Sequence, residues 1–128
     1  MNIELVTIVV GDYDEAIDFF VEVLGMELSE DSPSLTSSGM AKRWVVVRPT
    51  NATTGFLLAR AEGELQESRV GNQTGDRVGF FLRVDDFEET LAKLESAGAE
   101  VLTVPREEAY GKVVVFRDIF GNRWDLLG

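Results

Sequence analysis

The chain has 128 residues, 45% of them hydrophobic, the length and apolar content of one ordinary folded domain. Cysteine and histidine are both absent, which excludes disulfides, thiolate or imidazole chemistry and the side chains that usually ligate zinc, iron or nickel, leaving open only a hard-cation site of oxygen ligands. The formal charge of −11 speaks against a nucleic-acid partner, and no apolar run has the length of a membrane span. The start, Met1-Asn2-Ile3-Glu4, has no basic flank of a leader, so a cytoplasmic protein is expected.

Leu5–Val10 is β-branched and apolar and predicts a buried strand. Asp12 or Asp14 then caps a helix whose stripe is Ala16, Ile17, Phe20 and Leu24, and Gly25 ends it. Met26–Leu28 opens a short strand, and Asp31–Gly39, rich in serine, reads as a loop. Arg43–Arg48 and Phe56–Ala59 are strands on either side of a turn from Pro49 to Gly55. The polar stretch Glu62–Asp76 reads as a linker. Its Gly71-Asn72-Gln73-Thr74-Gly75 lacks the Lys-Ser/Thr of a phosphate loop and precedes a strand rather than a helix.

The pattern then begins again. Val78–Val84 predicts a strand, and Asp85-Asp86 leads a helix striped by Phe87, Leu91 and Leu94 and ended by Gly98. Glu100–Leu102 is a short strand, Pro105–Gly111 a loop, Lys112–Phe116 a strand, Asp118–Asn122 a turn and Arg123–Leu127 the closing strand. Val10–Glu15 falls on Val84–Glu89 at an offset of 74, Leu24-Gly25 on Ala97-Gly98 at 73, and Arg43–Val47 on Gly111–Val115 at 68. Two copies of one unit are therefore expected, over 1–61 and 77–128, joined by 62–76.

The opening Asp12-Tyr13-Asp14-Glu15-Ala16-Ile17-Asp18-Phe19-Phe20 with Leu24-Gly25-Met26, and the ending Phe116–Leu126, resemble the vicinal oxygen chelate superfamily of glyoxalases, bleomycin resistance proteins and extradiol dioxygenases. The resemblance implies an α+β fold of two βαβββ modules whose curved mixed sheets enclose a cleft, and a homodimer. It also implies that metal ligands, where present, come from the first and last strand of each module. Those positions are Leu5, Leu57, Gly79 and Asp125, of which only Asp125 carries a donor side chain. No metal or other cofactor is therefore expected, and one carboxylate does not hold a metal usefully.

Strand alternation places Leu5, Thr7 and Val9 on one face, with Gly79, Phe81 and Arg83, and Arg123, Asp125 and Leu127, on the equivalent face of the second module. Arg83 either pairs with Asp125 or recognises an anionic or carbonyl group of a ligand. Trp44, Phe81 and Tyr110 are core or offer flat surfaces to an aromatic ligand. Gly79 leaves room in the wall or marks a bulge. The candidate ligand-binding residues are thus Thr7, Trp44, Phe81, Arg83, Tyr110, Arg123 and Asp125. The expected function is metal-independent binding of a small organic molecule, cationic or aromatic. The alternatives are an enzyme using Asp125, Tyr110 or Arg83 without a transition metal, and an interaction subunit with no ligand.

Overall fold

A computed structural model describes every residue from Met1 to Gly128. The fold is α+β, with two separate mixed sheets and few helices. The chain divides into two compact units, Met1–Glu67 and Ser68–Gly128. No helix is long and apolar enough to cross a membrane.

In the first unit β1 (Leu5–Val10) leads to helix α1 (Tyr13–Ile17), which continues as a wider π-helical turn over Asp18–Val23. Strands β2 (Glu27–Leu35), β3 (Ala41–Arg48) and β4 (Gly55–Arg60) follow, in sheet order β1-β4-β3-β2. β1 and β4 are parallel and the other pairs antiparallel. One face packs on the helix: Ile8, Val10, Val45, Val47 and Leu58 are buried with Ala16, Phe19 and Phe20. A short helix α2 (Gly63–Glu67) closes the unit, inside the stretch predicted as linker.

The second unit repeats the order: β5 (Val78–Arg83), α3 (Phe87–Ser96), β6 (Glu100–Val101), β7 (Arg106–Glu108), β8 (Gly111–Arg117) and β9 (Arg123–Leu127). Its sheet runs β5-β9-β8-β6, and β7 also pairs with β8. Trp124 is the largest buried side chain, stacked on Phe116 and tilted against Phe80, with ring centroids 5.9 and 4.6 Å away.

The two copies are capped alike. Asp12 accepts from Glu15 N at 2.9 Å, and Asp86 from Glu89 N at 3.0 Å. Both helices end on a glycine with positive φ, Gly25 at 76° and Gly98 at 80°. Thirteen positions separate Asp12 from Gly25, but twelve separate Asp86 from Gly98. The extra residue sits in the wide turn, where Leu24 N donates to Phe19 O, five residues back, and both Phe19 and Phe20 are buried.

Two loop expectations are corrected. Asp31–Leu35 is strand, paired along β3 to Ala41, and the loop shrinks to 36–40. β2 is an edge strand, where Pro33 is tolerated, and Arg43 ties it down by a two-pronged bond to Asp31 at 3.1 and 2.7 Å. Within Pro105–Gly111, Arg106–Glu108 pairs with β8. Gly79 is a bulge residue, since Val78 and Phe80 face consecutive residues of β9, and a Cβ there would lie 3.0 Å from the Thr74 side chain. The space expected beside Gly79 is therefore filled.

Candidate functional site

On the first sheet, the face away from α1 is set by parity with the buried Ile8 and Val10. It carries Thr7 opposite Leu57, then Val46 on β3, with Trp44 and Lys42 further along the same strand. Trp44 is 37% exposed, so its indole is not a closed core residue. It stands between two hollows. One, of about 300 Å3, is bordered by Glu4, Leu5, Glu30 and Arg48. The other, of about 280 Å3, is bordered by Tyr13, Lys42, Arg43, Leu57, Ala59 and Arg60.

The second hollow has a clear backbone cause. β3 and β4 are in register only from Val47↔Phe56 to Val45↔Leu58, although both strands run on. Beyond Val45 the Arg43 N–H donates instead to the Tyr13 hydroxyl at 3.3 Å, so the phenol wedges the strands apart. The Arg43 and Arg60 guanidinium carbons each lie 5.2 Å from the Tyr13 ring centre, within cation–π range. Arg43 is also held by Asp14 at 2.9 Å and by Asp31. Its hydrogen bonds keep the Asp31 carboxyl below the usual carboxylate range. Lys42 and Arg60 make no ion pair.

In the second unit the equivalent strands close. Val113 pairs with Leu127, and Lys112 and Gly128 exchange two backbone bonds at 2.6 and 3.0 Å. Phe87 stands where the first unit has Tyr13, with no hydroxyl to intercept a strand N–H, and Gly128 has no Cβ to strike it.

Parity places Phe81, Arg83, Arg123 and Asp125 on the face of the second sheet opposite the buried Trp124 and Leu126. Phe81 is 65% exposed and in register with Asp125. Burial pushes the Asp125 carboxyl above its usual range, opposed by the charge of Arg106. The expected Arg83–Asp125 pair is not formed. Arg83 lies opposite Leu127, two residues beyond Asp125, and donates to the Tyr110 carbonyl at 3.5 Å. Tyr110 is exposed in the turn before β8, and Arg123 donates to Asp76 O at 2.6 Å. The structure thus gathers Phe81, Arg83, Tyr110 and Asp125 on the second sheet, while Thr7 and Trp44 belong to the first.

Sequence reasoning passed over Tyr13, Lys42 and Arg60, and Arg106. Only Tyr13 left a local trace, a tyrosine where the repeat carries Phe87. It also passed over Asp118, which accepts from the backbone N–H groups of Phe120, Gly121 and Asn122, from the Asn122 amide and from the Trp124 indole. That carboxylate fixes the turn from which β9 starts.

Leu5, Leu57 and Gly79 offer no side-chain donor, and no three acid side chains converge as metal ligands do. These residues do not fit a metal held from the first and last strands.

Residues 2–126 match the family model of the Glyoxalase/Bleomycin resistance protein/Dioxygenase superfamily. An uncharacterized protein of Shewanella frigidimarina is 44% identical over 123 residues, covering 95% of this chain and 89% of its own length. Among solved structures, UcmS2 superposes with a TM-score of 0.77 at 26% identity, covering 99% of this chain and 97% of that one. TnmS3, an antibiotic binding protein from Streptomyces sp. CB03234, gives a TM-score of 0.73 at 28% identity, with 99% and 94% covered. The two capped copies, the two mixed sheets and these matches have one reading: the chain belongs to the glyoxalase/bleomycin resistance protein/dioxygenase superfamily.

Proposed function

We propose that this chain is a metal-independent binding protein that holds a small organic molecule against an aromatic surface. The observation that carries the reading is Trp44, a partly exposed indole between two hollows on a sheet face whose family ligand positions, Leu5 and Leu57, are aliphatic. Small-molecule sites combine apolar surface with placed polar groups, and here the indole is set among polar and charged side chains. The likeness to an antibiotic binding protein supports binding rather than turnover.

Two measurements test it. Elemental analysis of the purified protein should give far less than one transition metal per chain, and chelator should leave its melting temperature unchanged. Titration with polycyclic aromatic antibiotics should perturb Trp44 fluorescence saturably, and Trp44→Ala should abolish the change. One tightly held zinc, iron or manganese per chain, or ligands that ignore Trp44, would refute the reading.

Asp125 favours a second reading. A carboxyl pushed up by burial beside Phe81, accepting no hydrogen bond, has the character of a general base. Turnover of a bound ligand that Asp125→Asn abolishes, with binding intact, would establish it over simple sequestration. The chain is further proposed to act as a homodimer, as family membership suggests.

A further inference from the structure

We propose that the hollow beside Trp44 in the first module is a site for an aromatic anion, its ring on the Trp44 indole and its carboxylate or sulfonate between Lys42 and Arg60. The assignment rests on the reading of the chain as a binding protein and names the charge of what it binds, against the sign suggested by the overall charge of −11.

Acids outnumber bases by 23 to 12, so an unpaired base needs a reason. Arg43, Arg48, Lys93, Arg106, Lys112 and Arg117 each have a carboxylate partner. Lys42, Arg60, Arg69, Arg77, Arg83 and Arg123 have none, and of these six Lys42 and Arg60 border one hollow. Arg43, between them in the lining, is already saturated by Asp14 and Asp31 and adds little net charge. Glu62 is the one acid in the lining, and it pairs with neither base.

The hollow is also built into the backbone. In the second module the same strands stay hydrogen-bonded up to Lys112 and Gly128, whereas here the Tyr13 hydroxyl takes the Arg43 N–H and the ladder ends at Val45. Tyr13 thereby opens the gap and presents its ring to Arg60, which fixes that guanidinium over the ring without neutralising it. Lys42 and Trp44 lie two apart on β3 and share the face away from α1, while Arg60, in step with Leu58, reaches the same gap from the α1 side. A carboxylate entering here exchanges water for charge-assisted hydrogen bonds, and its ring stacks on the indole.

The test uses three probes of one shape and different charge on the full chain: naphthalene carboxylate, naphthalene carboxamide and naphthylmethyl ammonium. Binding is read from the Trp44 indole N–H resonance, assigned with Trp44→Phe. The carboxylate should bind most tightly and weaken as salt rises. Lys42→Gln and Arg60→Gln should each weaken it roughly 3- to 10-fold, and the double variant should treat carboxylate and carboxamide alike. Lys42→Gln should keep the wild-type melting temperature, since Lys42 holds no ion pair, and Arg60→Gln should lower it only by what the lost contact with the Tyr13 ring contributes. Equal or tighter binding of the amide or the ammonium, or an unchanged affinity in the double variant, would overturn the anion assignment while leaving an aromatic binding protein. If no probe moves Trp44 the assignment also fails, and if the polycyclic antibiotics leave Trp44 unmoved as well, the binding reading fails with it.

Discussion

Replacing Asp118 with alanine removes the acceptor of five hydrogen bonds at once. The carboxylate is 4% exposed. Its Oδ1 holds the N–H groups of Phe120, Gly121 and Asn122 at 2.9 to 3.0 Å. Its Oδ2 holds the Asn122 amide at 3.2 Å and the Trp124 indole at 2.9 Å. In the alanine variant the Phe120 and Gly121 amides, half-buried in the turn, can turn to water. The two Asn122 donors and the Trp124 indole stay buried and lose their acceptor. At about 1–3 kcal/mol for each orphaned buried donor, partly relieved by shifts of the turn, the loss is roughly 3–5 kcal/mol. For a chain of this size that lowers the melting temperature by roughly 10–20 °C. Asp118→Asn keeps one oxygen for the backbone amides but aims an NH2 group at two other donors, so it should cost about half as much. Melting followed by circular dichroism measures both. Near-UV signal should report Trp124 loosening first. An alanine variant that melts within a few degrees of wild type, or an asparagine variant as damaged as alanine, would refute this account of the turn.

Other outcomes follow from the same geometry. Because the folded-state pKa of Asp125 is raised, its ionisation opposes folding as pH rises through that value, and the penalty vanishes below the ordinary Asp range. Asp125→Asn should therefore stabilise the fold at neutral pH and not at acid pH, as paired denaturation curves would show. Arg83→Met should change stability by less than about 0.5 kcal/mol, since the side chain is exposed and holds one 3.5 Å bond, and a large loss in urea denaturation would reveal a partner beyond that bond. Light scattering should give a mass near twice the 14.2 kDa chain, and a monomer would remove the homodimer proposal.

The repeat was legible because its markers are local. Asp12 and Asp86 cap helices, Gly25 and Gly98 end them, and β-branched runs mark the strands between. What escaped depended on partners distant in sequence. Serine and proline in Asp31–Leu35 read as loop, yet Arg43 on the neighbouring strand secures that segment as an edge strand. Parity placed Phe81, Arg83 and Asp125 on one face, but it does not fix the step along the strand. Register put Phe81 beside Asp125, Arg83 beside Leu127, and the charge of Arg106 nearest in effect to the carboxyl. Arg106 itself lies on β7, which read as loop. The hollow at Trp44 was illegible for a related reason. It exists because a ladder stops, and that depends on one hydroxyl of Tyr13 reaching across from α1.

The wide turn at Asp18–Val23 bears on how such a chain tolerates insertion and deletion. One residue added to a regular helix rotates every later side chain by about 100°, which would swing Phe20 and the Gly25 cap out of phase with the sheet. A five-residue bond at Leu24 absorbs that residue within one turn, and the helix still ends on a positive-φ glycine like its twelve-step counterpart. This turn is where the helix can change length by one without moving a strand. Deleting a single residue here should leave the cap, the sheet and the hollow at Trp44 in place, and should restore a regular helix with one buried phenylalanine fewer.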